Sequence, residues 1–491
     1  MNFKSGFLQE LESRGFIAQI THSKELDDVL FASEESYKNG GSERFSAYIG
    51  FDCTAQSLHV GSLIQIMILR LLQKHGHAPI ALLGGGTTKI GDPSGKDEAR
   101  QILTEEKIQQ NLEGIKNTLA KFISFGDDLR VDSKVSDGAK FNNGFSGGNN
   151  SASNSSKALA RLVNNDDWLK NLNYIEFLRD VGRHFSVNRM LTFDSVKTRL
   201  ERDQPLSFLE FNYMILQAYD FYELNKSEDH KCSLQIGGSD QWGNIVNGVD
   251  LIRRMPTKNS QRIITSDGAI HDSPTNAVWS DAKNHNPSIQ NSVAFGLTSP
   301  LLTTADGKKM GKTANGAVWL DANMLSPFDY FQYFRNTHDA DVVRFLKLFT
   351  DLPLNERNIS SPDKPCIAEL EKLKDQEINK AKEILAFEVT KICHGEETAQ
   401  AVLQKAREIF ISKNSTAYEE KEIAIGEGKK LTEIIKEIGA VESNAEAKRL
   451  IEGRGVKIND QAVADTNRII KEAQEFNLAV GKKKFFKIIC K

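Results

Sequence analysis

The stretch between residues 45 and 84 limits the possible folds of this chain more than any other. "FSAYIGF" is a short apolar run with a glycine near its end. After "DCTAQSLHVG", Leu63, Ile66, Met67, Leu69, Leu71 and Leu72 recur at near-helical spacing, Gly76 offers a stop, and "APIALLGGG" supplies a second apolar run. A buried strand, a glycine-containing turn, an apolar helix and a second buried strand form the repeating unit of a parallel sheet with crossover helices. The expected class is therefore α/β. The turn from strand to helix aims free backbone N–H groups and a positive dipole end at an anion. His59 stands at that helix entrance, where these residues alone allow either a capping role or a phosphate contact.

At 491 residues the chain can bury a sizeable core and is expected to form two or three domains. A net charge of −3 excludes a uniformly basic nucleic-acid coat but allows a local basic patch. No apolar run is long enough to cross a bilayer, so no membrane association is expected. The start, "MNFKSGFLQELESRG", carries Glu10 and Glu12, reads as no secretory signal, and places Phe3, Phe7, Leu8 and Leu11 on one face of a helix. The five cysteines are scattered, odd in number and free of any CxxC pair. Neither a disulfide framework nor a protein-bound structural metal is expected, and a reducing cytoplasm is the expected location.

Residues 141–157, "FNNGFSGGNNSASNSSK", are rich in Gly, Ser and Asn and read as a surface insertion. A second irregular excursion spans about 256–292. From Ser326 to about Phe410 the pattern is helical. "TAYEEKEIAIGEGKK" reads as a linker into a small last domain, in which Ser443 and Glu446 form a capping box for a helix that Gly453 closes. A strand "GVKI", a turn at Asn459–Asp460 and a final strand "KKKFFKIIC" follow.

Four motifs stand out. "GGGTTKIGDPSGK" fails as a P-loop, because only three residues separate Gly91 from Gly95 and Asp97 replaces the hydroxyl residue. It fails as a dinucleotide fingerprint because Lys89 stands where the third glycine belongs. "DGKKMGKT" sets Lys309 and Lys312 three apart across a glycine, which suits either a polyphosphate or an ordinary solvated loop. "QIGGSDQWGN" offers Gly237 and Gly238 for close backbone approach and Asp240 as an acceptor for ribose hydroxyls. "FNYMILQAYDF" sets Tyr213, Gln217 and Asp220 at i, i+4 and i+7, a polar stripe on one helix face. Such a stripe is costly in an apolar helix unless it meets water or a polar ligand.

Together "HVGS" and "KMGKT" resemble the two signature motifs of class I aminoacyl-tRNA synthetases, usually written HIGH and KMSKS. With "YIGFDCTAQSLHVG", "IGDPSGK", "YMILQAYDF" and "QIGGSDQWGN", the chain resembles the bacterial tyrosyl-tRNA synthetases from about Phe7 to its C-terminus, the two insertions excepted. The resemblance implies a Rossmann-like parallel-sheet catalytic domain over 1–317, an α-helical anticodon-side domain over 318–412, a linker at 413–428 and a small α+β S4-like RNA-binding domain over 429–491. It implies activation of L-tyrosine by ATP, with Mg2+ accompanying the nucleotide, transfer to tRNA(Tyr), and a homodimer.

The resemblance places His59 and Thr54 beside the ATP phosphates, with Lys309, Lys312 and Thr313 closing over the pyrophosphate. Tyr48 and Asp220 would bind the substrate phenol. Tyr213, Gln217, Asp92 and Gln235 would hold its ammonium group. Gly50, Asp52, Ser62, Gly238, Asp240, Gln241 and Lys312 would line the ATP site, Gln241 close to the reacting carboxylate. Lys448, Arg449, Arg454 and Lys457 would meet tRNA, in a segment from Lys429 to Lys491 whose 14 Lys/Arg against 9 Asp/Glu leave a net +5. Three departures are visible: Ser62 replaces the second signature histidine, Ile49 replaces a cysteine found in some relatives, and Gly311 replaces the commoner serine. A tryptophanyl relative is disfavoured because an indole offers no hydroxyl to Tyr48 and Asp220. Intact His59, Lys309 and Lys312 argue against a non-catalytic RNA-binding protein, and the failed fingerprint argues against a dehydrogenase.

Overall fold

The chain begins with α1 (Gly6–Arg14), β1 (Gln19–Ile20) and α2 (Ser23–Lys38), then enters the alternation the sequence predicts. β2 (Ser46–Asp52), α3 (Leu63–Lys74) and β3 (Ala78–Gly84) are followed by α4 (Glu105–Leu119) and β4 (Arg161–Asn164). Five short helices come next: α5 (Asp166–Leu169), α6 (Tyr174–Asp180), α7 (Val187–Met190), α8 (Asp194–Glu201) and α9 (Phe208–Phe211). α10 (Tyr213–Lys226), β5 (Cys232–Gly238) and α11 (Trp242–Arg254) lead to a small antiparallel pair, β6 (Arg262–Ile264) and β7 (Ile270–Asp272), and to β8 (Phe295–Ser299). This computed structural model describes residues 2–92, 103–125, 158–255, 262–264, 270–272, 294–305, 307, 310–313, 316–356, 365–415, 418–426, 428–459, 461–471, 475–481 and 484–490. The stretch 141–157, most of 256–292 and Lys309 lie outside the described residues, as do the side chains of Lys312 and Thr313.

The main sheet runs β1-β8-β5-β2-β3-β4, parallel except for the short edge strand β1. All seven residues of β3 are buried, as expected of a parallel strand covered on both faces. α3 supplies much of that cover with Leu63, Ile66, Met67, Leu69, Leu71 and Leu72. It stops where the sequence indicates, at Gly76, whose φ of +83° only glycine adopts without strain. From β2 the chain goes to one side for β3 and β4 and returns to the other side for β5 and β8. The carboxyl ends of β2 and β5 therefore flank the switch point of the sheet, where open α/β folds bind ligands.

Beyond β8, a two-strand turn of β9 (Lys312–Thr313) and β10 (Gly316–Ala317) precedes α12 (Pro327–Arg335), α13 (Val342–Phe349), α14 (Ile367–Leu370), α15 (Ile378–His394) and α16 (Glu396–Ser415). The chain divides into two compact units, Met1–Gln400 and Ala401–Lys491. In the second, β11 (Tyr418–Ile423), β12 (Lys429–Lys430), α17 (Leu431–Glu437), α18 (Asn444–Glu452), β13 (Val456–Ile458), β14 (Gln461–Ala462), β15 (Ile469–Ile470), β16 (Glu475–Val480) and β17 (Lys484–Cys490) enclose their own core of Leu431, Ile434, Ile451, Val456, Leu478 and Ile488. The capping box at α18 forms by half. Ser443 Oγ accepts from Glu446 N, but the Glu446 carboxylate reaches Glu442 N, one residue earlier than expected. Gly453 follows α18 at φ −77°, and the left-handed residue is Arg454 at +54°.

Candidate active site

Alternation along β2 puts Tyr48, Gly50 and Asp52 on one face of the sheet. Tyr48 lies in register with Ile80 on β3 and Gln235 on β5. Across from them, α10 presents the stripe predicted from its spacing. The Tyr213 hydroxyl donates to Asp52 Oδ1 at 3.1 Å. Asp220, 2% exposed, accepts from Asn165 Nδ2 at 3.0 Å and from Trp168 Nε1 at 2.8 Å. Burial pushes the Asp220 carboxyl up to about 7, although both hydrogen bonds pull the other way. The Tyr48 phenol is buried too and its pKa is raised, by desolvation first and by the Asp220 charge second. Tyr48 Oη and Gln235 Oε1 have no hydrogen-bond partner among the described residues. Buried polar atoms are almost always paired, so these two, on adjacent strands and without partners among the described residues, leave hydrogen-bonding capacity that a polar ligand can take up.

A second network joins the remaining predicted ligands. Gln241 Nε2 donates to Asp92 Oδ2 at 2.9 Å, and Asn244 Nδ2 donates both to Gln241 Oε1 at 3.1 Å and to Gln217 Oε1 at 2.9 Å. Gly238 ends β5 against the Asp240 carboxylate, and a Cβ there would lie 2.7 Å from Asp240 Oδ1.

The two signature segments, about 250 residues apart in sequence, meet. His59 caps the one-turn segment Val60–Ser62, its Nδ1 accepting from Gly61 N at 3.0 Å. An Nδ1 that accepts a backbone proton leaves the ring proton of the neutral imidazole on Nε2, which becomes a donor. The capping and phosphate readings are thus complementary. A Cβ on Gly311, at φ +124°, would fall 2.8 Å from His59 Nδ1, and one on Gly61 would fall 3.0 Å from Met310 O. Trp319 completes the contact, bridging His59 and packing edge-on against its ring at 6.1 Å. Thr54 and Gly50 are exposed at this end of the sheet, and Ser62 sits at the start of α3.

Residues 40–411 match the family of class I tRNA synthetases specific for tryptophan and tyrosine. The chain belongs to this family. It is 48% identical to the tyrosine–tRNA ligase of Caulobacter vibrioides (strain NA1000 / CB15N), over 98% of this chain and 97% of that one. It is 47% identical to the corresponding ligase of Wolbachia sp. subsp. Brugia malayi (strain TRS), over the full length of both. Among solved structures it resembles a C-terminally truncated mitochondrial tyrosyl-tRNA synthetase of Aspergillus nidulans at a TM-score of 0.59 and 29% identity, covering 83% of this chain and 94% of that one.

Several residues that hold this arrangement together carry no sequence signal strong enough to single them out. Asn165 is the most consequential. Besides binding Asp220, its side chain donates to Thr87 Oγ1 at 2.9 Å and accepts from Gly86 N at 2.8 Å, tying the glycine-rich turn after β3 to the carboxylate. Its position just after the apolar run "LV" of β4 is the available clue, since residues at the carboxyl ends of parallel strands face the site. Trp168, Asn244 and Trp319 were equally inconspicuous. In the second unit of the synthetase, Lys448, Arg449, Arg454 and Lys457 are all exposed, on α18, the turn after it, and β13.

Proposed function

We propose that the synthetase, a tyrosine–tRNA ligase, activates L-tyrosine with ATP at the carboxyl ends of β2 and β5 and then esterifies tRNA(Tyr). The observation that carries the assignment is the buried pair Tyr48 and Asp220, a hydroxyl without a partner among the described residues beside a desolvated carboxyl. A substrate phenol can satisfy both, and an indole lacks the oxygen to do so. Tyr213, Gln217, Asp92 and Gln235 hold the substrate ammonium group, and Gln241 lies by its carboxylate. Asp240 takes the ribose, while Gly50, Asp52, Ser62 and Gly238 line the nucleotide.

The tyrosine carboxylate attacks the α-phosphorus of ATP and pyrophosphate leaves. Negative charge moves onto the leaving group, so donors aimed there stabilise the transition state more than the ground state. His59, Thr54, Lys309, Lys312 and Thr313 are assigned to that task. The support is the packing of Met310 and Gly311, the two residues that separate Lys309 from Lys312 in sequence, against the His59 turn. Mg2+ is assigned to the nucleotide as part of the substrate. Among the described residues no group of three or more His, Cys, Asp or Glu side chains is placed to hold a metal. The terminal ribose hydroxyl of the tRNA then attacks the adenylate carbonyl and AMP departs.

The exposed basic residues of the last unit are assigned to the tRNA phosphates. A homodimer is supported by the apolar side chains that α6 to α9 leave open to solvent, among them Tyr174, Ile175, Val187 and Phe208, the last 67% exposed. A reducing cytoplasm is supported by five free, buried cysteines. Among the described residues no helix is long and apolar enough to cross a membrane. ATP–pyrophosphate exchange with each of the twenty amino acids tests the assignment: exchange with tyrosine is expected, and exchange with tryptophan in its place would overturn it.

A further inference from the structure

α4 contributes no residue to either network described above, yet one face of it touches the segment that leads into His59. Asn111, Gly114, Thr118 and Lys121 follow one another at spacings of three, four and three, which places them along one side of the helix and its terminal turn. Asn111 Nδ2 donates to Cys53 O at 2.7 Å. Gly114 lies so close to the next backbone carbonyl in the row that a Cβ would fall 1.9 Å from Gln56 O. The Thr118 and Ser57 hydroxyls are 3.3 Å apart, and Ser57 Oγ donates to Leu58 O at 2.9 Å. Successive positions of α4 thus grip successive residues of the segment that ends in His59.

Lys121 extends the row to the second signature segment. Its Nζ donates to Leu320 O at 3.1 Å, and the N–H of the same Leu320 donates to Leu58 O at 3.0 Å. Directly before Leu320, Trp319 bridges His59 and Val318 N donates to Gly311 O at 3.0 Å. β10, two residues before Trp319, pairs with β9, which contains Lys312. Lys121 thus adds a hydrogen bond from the same helix face to the pairing, Leu320 N to Leu58 O and Val60 N to Val318 O at 2.9 Å, that joins the histidine turn to the segment after the lysine loop. Tyr48, Asp220, Asn165 and Trp168 make none of these contacts.

We propose that this face of α4, through Gly114 and Lys121 above all, is a positioning element for the nucleotide half of the reaction and takes no part in amino-acid recognition. The proposal rests on the assignment of tyrosine activation to this site. Neither residue touches substrate. They act through the backbone of Gln56 and Leu320, and a misplacement of 1 Å in such a site costs about 100-fold in rate.

The test uses the full chain with Lys121→Met, which keeps the apolar stem of a half-exposed side chain, Lys121→Arg, which restores a donor, and Gly114→Ala. Tyrosine affinity is measured without ATP by calorimetry, and kcat and KM for ATP by pyrophosphate exchange. Lys121→Met and Gly114→Ala should lower kcat/KM for ATP by about 10- to 100-fold, with tyrosine Kd within about twofold of the parent. Lys121→Arg should recover most of the loss. Parallel loss of tyrosine affinity, unchanged ATP kinetics, or an arginine variant as impaired as the methionine one would each overturn the proposal while leaving the function intact. Absence of tyrosine-dependent exchange in the parent chain would overturn both.

Discussion

Removing the hydroxyl of Tyr48 should make the tyrosine-free enzyme more stable and less selective. In the structure Tyr48 is 1% exposed and its Oη has no hydrogen-bond partner among the described residues. A buried hydroxyl in that state costs about 1–3 kcal/mol relative to its solvated form. Tyr48→Phe removes the oxygen and keeps the ring, which packs on Phe221 at 5.5 Å. The variant should therefore gain roughly that amount of stability when no tyrosine is present. Over the 400-residue unit Met1–Gln400, an unfolding entropy of about 2.1 cal/mol/K per residue converts the gain to a rise of about 1–4 °C in Tm.

Bound tyrosine relieves the same penalty by pairing with Oη, whereas bound phenylalanine does not. The ratio of kcat/KM for tyrosine over phenylalanine should then fall by the same 1–3 kcal/mol, about 5- to 150-fold. The two effects share one origin and should agree in size. Scanning fluorimetry without ligand and pyrophosphate exchange with both amino acids provide the measurements. A variant that melts lower than the parent, or one whose tyrosine-to-phenylalanine ratio is unchanged, would refute the placement of Tyr48 in the pocket.

Asp220 should leave a signature in the pH dependence of stability. Its folded pKa lies above its unfolded value, 3.8 against about 7, so its contribution is full below 3.8 and declines as pH rises toward 7. Asp220→Asn removes this slope, and the parent should lose about 2–3 kcal/mol more than the variant between pH 5 and pH 8 in urea melts; equal losses would show that the carboxyl is not protonated in the fold. Lys312→Ala should slow adenylate formation by about 2–4 kcal/mol of barrier while leaving tyrosine Kd nearly unchanged, and equal losses would misplace the lysine. Truncation before Lys429 should spare pyrophosphate exchange and cripple charging of tRNA(Tyr); unaffected charging would remove the last unit from tRNA binding. Ile175→Glu with Phe208→Glu should convert a dimer to a monomer in sedimentation analysis, and a dimer that persists would place the interface elsewhere.

Local patterns in the sequence were enough to determine the strand–turn–helix order at 45–84, the stop of α3 at Gly76 and the polar face of α10. Each depends on side-chain periodicity or a glycine φ within one element, and those constraints operate over a few residues. The motifs likewise named His59, Asp240 and the lysine loop through residue types in sequence order. Tertiary structure alone decided who meets whom. It brought Gly311 to the His59 ring, joined Asp92, Gln241, Asn244 and Gln217 into one network, and gave the Asp220 carboxylate to Asn165 and Trp168. A buried carboxylate must be satisfied by donors from whatever element the fold lays beside it, and such donors need no periodicity of their own. Asn165 is therefore an ordinary asparagine in the sequence and becomes a partner of Asp220 only because β4 ends next to α10.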